Sequence, residues 1–509
     1  MSQIRRQSII SSVMVYFGFS LGFFNTYLFT RDGGFTKEQY GLTGIFVAIA
    51  TLMFSFSNIG MTSYIYKFYP YYNENLDKKR NDILTWALLV SLGGFCLVAI
   101  SGIYFKDVII LKFGKNSPEL VKYYFWIFPF GLGLTLYSIL ESYAWQLKQS
   151  VLTNFLREVQ FRLFTTILII LTFAGFLTKF DMFIKVYSFT YLAIALTLLI
   201  YLLLKGYIHF TFTASIITKK FYKKIGTLIS FVYGGTLVYA IASVFDSILI
   251  ASVLENGLAE VAVYTLAQNI SSLIQAPQRG IISSSLAALS QAWKNKDMPR
   301  ITRIYKQSSI NQLIFAVAMF SLIWLNFSDA VFTFHMQKGY VDAKWVFFFI
   351  GLMRIIDMGT GVNSQIIATS TKWKFEFFTG IILLILTLPL NYILTKYYFG
   401  IVGPAIANLF AFTVYNAIRY WYLQKKFNLQ PFTKQTAYTI ILGLFAYFFC
   451  NYLFQNIHGF AGMFVRSIAF IIIYATGTLL LKLSSDVAPV WNTLLKKIGI
   501  KKEELSSSV

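Results

Sequence analysis

The chain has 509 residues, of which 57% are hydrophobic and only 13% charged, with a mean hydropathy of +0.62. A soluble domain carries about 25% charged residues, so a water-soluble globular class is excluded. The formal net charge of +23 would point to nucleic acid in a soluble protein, but here the cations sit in short segments between apolar blocks and no nucleic-acid motif accompanies them.

Arg5 and Arg6 precede an apolar stretch from Ile9 to Phe29. It is too long for the core of a cleaved signal and no small-residue cleavage site follows, so it reads as a first membrane helix. Apolar blocks of membrane-crossing length then recur along the chain. The first seven lie near 9–29, 40–59, 83–105, 123–143, 155–177, 183–204 and 225–253. The second seven lie near 261–289, 308–326, 345–368, 375–395, 401–423, 435–454 and 461–482. The expected fold is an all-α polytopic membrane protein with about 14 transmembrane helices. Every connection is short, the longest roughly 23 residues, which leaves no room for a folded catalytic domain. Cys96 and Cys450 lie inside apolar blocks, and His209, His335 and His458 are scattered, so neither a disulfide framework nor a metal centre is expected.

Lysine and arginine set the orientation, because positive loops stay cytoplasmic. With the N-terminus inside, alternate segments hold about 27 of them on the cytoplasmic side and about 10 on the other. Both termini are then expected in the cytoplasm, with the basic loops facing anionic membrane lipids, each cation worth about 1 kcal/mol near the surface. The segment from Lys106 to Lys122 departs from this pattern. Residues 491–502 alternate Leu494, Leu495 and Ile498 with Lys496, Lys497, Lys501 and Lys502, the pattern of a basic interfacial helix.

Two short matches hint at duplication. Tyr40-Gly41-Leu42 and Tyr264-Thr265-Leu266 each open an apolar block, and Leu177-Thr178-Lys179-Phe180 and Leu394-Thr395-Lys396-Tyr397 each close one. The offsets fit six helices repeated, with two more at the C-terminus. The expected organisation is an N-terminal six-helix lobe over 1–210, a second over 211–428, two further helices over 429–485 and a basic tail over 486–509. Repeated lobes of this kind place substrate near the bilayer midplane between them.

Three segments carry a family resemblance. They are Tyr40-Gly41-Leu42 through Asn58-Ile59-Gly60-Met61, Asp246 through Tyr264 to Ala276-Pro277, and Leu388-Pro389-Leu390-Asn391-Tyr392-Ile393-Leu394 with Phe399-Gly400-Ile401-Val402-Gly403-Pro404. In order and spacing the chain resembles the polysaccharide biosynthesis (oligosaccharide flippase) family of the multidrug/oligosaccharidyl-lipid/polysaccharide exporter superfamily. Pro404 departs from the small residue usual there. The resemblance implies a fourteen-helix, two-lobed fold that exports a lipid-linked oligosaccharide, an undecaprenyl-diphosphate glycan, from the cytoplasmic to the outer face of the bacterial inner membrane. It implies a place in O-antigen, capsule or exopolysaccharide synthesis, alongside a polymerase and other pathway proteins. No cofactor is expected beyond a coupling H⁺ or Na⁺.

A charged diphosphate cannot cross hydrocarbon unaided, so intramembrane polar residues are the candidates. Arg354 and Asp357 lie near the middle of the tenth block; Arg354 would bind diphosphate or an acidic sugar and Asp357 tune it or carry the ion, or the two would neutralise one another at i,i+3. Arg279 in the eighth block would meet the head group or snorkel to the interface. Asp246 in the seventh would couple a cation or hydrogen-bond between helices. Arg162 would face the cavity if its helix starts near Leu152, but a start at Leu163 is favoured, making 157–162 an interfacial turn. Glu141 would pair with one of these arginines, and Asn25 and Asn363 would hydrogen-bond sugar or a neighbouring helix. Absence of any Asp-x-Asp and of large loops argues against a membrane glycosyltransferase, polymerase or ligase. The rivals are a multidrug/cation antiporter of the same superfamily and a peptidoglycan lipid-precursor flippase.

Overall fold

The computed structural model describes residues 3–177, 180–372 and 374–486, and every regular element among them is helical. A helix lies on each of the fourteen apolar stretches. Among the described residues nine helices are long and apolar enough to cross a membrane, or ten if Lys338–Gly359 and Asn363–Thr369, bent by 47° at a short break, form one crossing. Three expected crossings fall outside that set, the first helix Gln3–Thr30 and two others for visible reasons. The helical run from Ser150 to Phe173 carries Arg157, Glu158 and Arg162, and the helices Gly257–Ser272 and Gln278–Lys294 are parted by a break. Conversely, the apolar stretch Lys374–Phe427 holds two helices, Lys374–Ile393 and Gly403–Phe427. At about 1.5 Å per residue each is roughly 30 Å or longer, enough for the hydrocarbon core. The protein is a multi-pass membrane protein.

Local chemistry fixes the helix boundaries. Thr36 caps Lys37–Asn58 in a box with Gln39, and Ser215 accepts from the Thr218 amide at the start of Ile216–Val253. Pro389, deep in its helix, precedes a π-helical stretch Leu394–Phe399, and Gly400 then reverses the chain at φ 50°. Pro404 stands in the first turn of Gly403–Phe427, where its missing N–H has no intrahelical partner to lose, so the departure from the family pattern leaves the helix intact.

The chain packs as two compact units. The first comprises Met1–Thr265 with Asn391–Ile401, the second Leu266–Leu390 with Val402–Val509. In the first unit, helix Ile127–Gln146 packs against Lys37–Asn58 and Thr190–Leu204. Phe130, Phe161, Tyr187 and Tyr191 stack in the seam. Helix Lys37–Asn58 also meets Gly257–Ser272 so closely that a Cβ on Gly41 would overlap the Leu258 carbonyl. The second unit holds two cores. One joins Leu289, Ile301, Tyr305, Ile366 and Leu423. The other lays the last two helices, Lys434–Leu453 and Gly459–Leu480, onto Met298–Thr333 through Leu313, Val317, Leu442, Ala446, Phe470 and Tyr474. Cys450 is buried there, whereas Cys96 is exposed. Lys106 to Lys122, the exception to the charge rule, carries helices Lys106–Phe113 and Pro118–Lys122, with Val108 and Leu111 exposed among the lysines. The basic stretch 491–502 lies outside the described residues.

Candidate functional site

In the second unit a polar network crosses four helices. Asp357, one turn beyond the half-buried Arg354 on Ala343–Gly359, accepts from Gln278 Nε2 at 3.0 Å and from Asn416 Nδ2 at 3.3 Å. Asn416 Oδ1 in turn accepts from Asn363 Nδ2 at 2.9 Å and Thr360 Oγ1 at 3.1 Å. Asn363 and Asn416 are buried. Of the two alternatives for Arg354 and Asp357, mutual neutralisation is not seen: among the described residues Asp357 makes no ion pair and is held by amides. An amide pair holds a carboxylate while leaving its charge uncompensated.

Next to this network, Ser364 donates to Glu376 at 2.6 Å, and Glu376 forms an ion pair with Arg419, whose guanidinium also lies 3.7 Å over the Tyr415 ring and bonds its hydroxyl. At another end of the unit Arg466 pairs with Asp329, which His458 approaches at 3.4 Å. Sequence reading missed Glu376, Asn416, Arg419, Asp329 and Arg466. Arg419 and Arg466 lie in apolar blocks and carry the same signal that singles out Arg354.

In the first unit two carboxylates of the apolar blocks, Glu141 and Glu158, are neutralised by arginines. Glu141 accepts from Arg157 Nη1 at 3.1 Å, the pairing anticipated from sequence. Arg162 pairs with Glu158 at 3.0 Å, one turn away on its own helix. That helix starts at Ser150 and runs through a π-helical turn Phe155–Gln160, so Arg162 is about 18 Å along it, and the favoured start at Leu163 is corrected. Asn25 donates to the Arg162 carbonyl at 2.9 Å and accepts from Thr166 at 2.6 Å, binding the first helix to this one.

Two further clusters lie in the first unit. Buried Asp246 accepts from Tyr264 OH at 2.6 Å and from Asn391 Nδ2 at 2.7 Å. Asn391 Oδ1 and, one turn on, Thr395 Oγ1 are buried oxygens without a hydrogen-bond partner. Buried Asp82 was not anticipated. Its Oδ2 accepts from Trp86 Nε1, the Ser215 amide and Thr218 Oγ1 at 2.8–3.0 Å. Tyr72 OH meets Thr218 Oγ1 and Tyr64 OH donates to Tyr72, each at 2.8 Å. Burial raises both phenols above the ordinary tyrosine value, and this chain of hydroxyls ends on the carboxylate. Arg279 belongs to helix Gln278–Lys294, but its side chain lies outside the described residues. The structure thus joins Asp357 to Asn363 and Asn25 to Arg162, and keeps Glu141 and Asp246 in separate clusters.

No family model matches the sequence, and no curated protein matches it. Solved structures do. An inward closed conformation of the lipid II flippase MurJ superposes with a TM-score of 0.71 at 16% identity, covering 93% of this chain and 98% of that one. The chain shares this structure's fold. An inward-facing multidrug resistance transporter of the MATE family, in the MOP superfamily, matches with a TM-score of 0.63 at 15% identity over 84% of this chain and 95% of its own. An outward-facing MATE structure gives 0.54 at 16% identity, with 82% and 95% covered.

Proposed function

We propose that this protein is a flippase, not an enzyme, that carries an anionic lipid-linked oligosaccharide from the cytoplasmic to the outer face of the inner membrane by alternating access of its two lobes. In this reading fourteen helices cross the membrane and both termini are cytoplasmic. The observation that carries it is the extent of the fold likeness. The lipid II flippase matches 93% of the chain, a larger share than either multidrug transporter described above. Arg354, with Arg279, would meet the diphosphate, and Asn363 and Asn25 would serve the sugar or hold the helices that do.

The coupling ion, H⁺ or Na⁺, is assigned to Asp246. Its carboxylate, Asn391 Oδ1 and Thr395 Oγ1 are hard oxygen donors of the kind alkali cations take. Asp357 is the second candidate. The same fold observation supports a second reading, a peptidoglycan lipid-precursor flippase, which differs in the glycan alone. A multidrug antiporter is disfavoured by Arg354 and Arg279 within the apolar blocks, which suit an anionic cargo, whereas Arg157, Arg162, Arg419 and Arg466 are paired with carboxylates.

The test is translocation in proteoliposomes. Undecaprenyl-diphosphate oligosaccharide is placed in one leaflet and its appearance in the other is read with a membrane-impermeant glycosidase, with and without Na⁺ or pH gradients. Arg354→Ala is expected to cut the rate at least tenfold, equivalent to about 1.4 kcal/mol, with expression and melting unchanged. Full translocation by Arg354→Ala would remove Arg354 from the site. No translocation of any lipid diphosphate by the wild type would overturn the reading itself.

A further inference from the structure

At one end of the second unit a cavity of about 570 Å³ opens where Met298–Thr333 meets the last two helices. Its place follows from the helix ends that frame it. Thr433 caps the start of Lys434–Leu453, and Thr478 and Leu479 close Gly459–Leu480. Ends of membrane-crossing helices lie at headgroup depth. None of the residues of the polar networks described above lines it.

The lining divides by chemistry. Ile310, Leu479 and Leu483 supply apolar surface, while Lys306 and Lys482, both exposed, stand with Gln307 and Gln435. Among the described residues neither lysine makes an ion pair, and neither glutamine side chain has a hydrogen-bond partner. Three hydroxyls around the rim are already used: Thr478 donates to the Tyr474 carbonyl, Ser484 to Asn311 and Ser485 to Asp486. The nearby Asp486 carboxylate accepts from Asn311 at 2.7 Å and from Ser485, and among the described residues it makes no ion pair with either lysine. What remains uncommitted is two cations and two amides, beside an apolar wall, at the level of lipid headgroups.

We propose that this cavity binds a resident anionic phospholipid. Lys306 and Lys482 take the phosphate, the two glutamine amides donate to its ester or glycerol oxygens, and an acyl chain runs along Ile310, Leu479 and Leu483. A neutral zwitterionic lipid carries its own cation beside the phosphate and gains less from two lysines. The occupant sits against the two C-terminal helices and staples them to Met298–Thr333. The proposal is independent of the transported substrate.

Native mass spectrometry of the full-length protein, delipidated and then titrated with phosphatidylglycerol or phosphatidylcholine of equal chain length, tests it. Wild type is expected to retain one phosphatidylglycerol in preference to phosphatidylcholine. Lys306→Gln with Lys482→Gln is expected to weaken that retention about thirtyfold, from about fivefold per lysine near a charged surface. Lys306→Arg with Lys482→Arg should keep it, which separates lost binding from a damaged fold. Lys219→Gln with Lys220→Gln, an equal loss of charge elsewhere, should leave it unchanged. Equal retention of the two lipids by wild type overturns the proposal. So does an equal drop in the Lys219/Lys220 variant, which would mark bulk charge, or undiminished binding after loss of Lys306 and Lys482.

Discussion

Arg419 offers the sharpest test of how the second unit is held together. It is only 3% exposed, and its guanidinium is shared between the Glu376 carboxylate and the Tyr415 ring and hydroxyl. Arg419→Met keeps the bulk but strands Glu376 with a single donor, the Ser364 hydroxyl. Breaking one side of a buried pair costs about 3–5 kcal/mol, because the remaining charge keeps its desolvation penalty. Loss of the cation–π contact adds about 0.5–2 kcal/mol. Removing both charges with Glu376→Gln and Arg419→Met eliminates the stranded charge and is expected to recover all but about 1–2 kcal/mol. The assay is fluorescence-detected size exclusion after heating the purified protein in detergent. The single variant should melt well below wild type and the double variant should lie between them. Wild-type melting of Arg419→Met, or a double variant no better than the single one, would refute the claim that charge pairing stabilises this site.

Gly41→Val drives a side chain into the Leu258 carbonyl, a backbone atom that cannot rotate away, and should destabilise the first unit by about 1–3 kcal/mol or more, read by the same melting assay. Asp82→Ala removes the acceptor for two donors at the start of Ile216–Val253 and for the Trp86 indole, and should cost about 2–3 kcal/mol locally, seen as faster amide hydrogen exchange at residues 83–87 and 211–219 with the rest of the chain unchanged. Glu141→Gln and Asp357→Asn should behave oppositely. The first breaks an ion pair and lowers stability with translocation retained. The second replaces a carboxylate already held by amides, so melting should hold while translocation or its ion dependence falls; matched effects in both assays would sink the distinction.

Apolar blocks are read directly from sequence because a helix across hydrocarbon must satisfy its backbone internally and present about 20 apolar residues. That is why a helix stands on every expected stretch. Interruptions were less legible. The start at Ser150 was hidden because Arg157, Glu158 and Arg162 look like an interfacial turn until Glu141 and the Arg162–Glu158 pair are seen to neutralise them. Of the site, single charges in apolar surroundings were visible and their partners were not. Asp357 could be named from one line of sequence, but Gln278 and Asn416 lie 79 and 59 residues away, and ordinary amides in a helix carry no mark of what they hold.

The two units use similar parts to different ends. Glu141 and Asp357 are 216 residues apart, close to the offset between the matching tetrapeptides, and each lies on a long apolar helix of its own unit. Glu141 is neutralised by Arg157, whereas Asp357 is held by Gln278 and Asn416. An ion pair within one unit is a packing element: its charge is spent on its partner and responds weakly to a passing ligand. A carboxylate oriented by neutral amides is fixed in position while its charge still acts on its surroundings, as preorganised binding groups do. If duplication placed both carboxylates, a change of partners is what set the ion-paired acid apart from the amide-held one. Transport chemistry within the second unit should therefore be sought around Asp357 and Arg354 before the tighter pairs formed by Glu376 and Asp329.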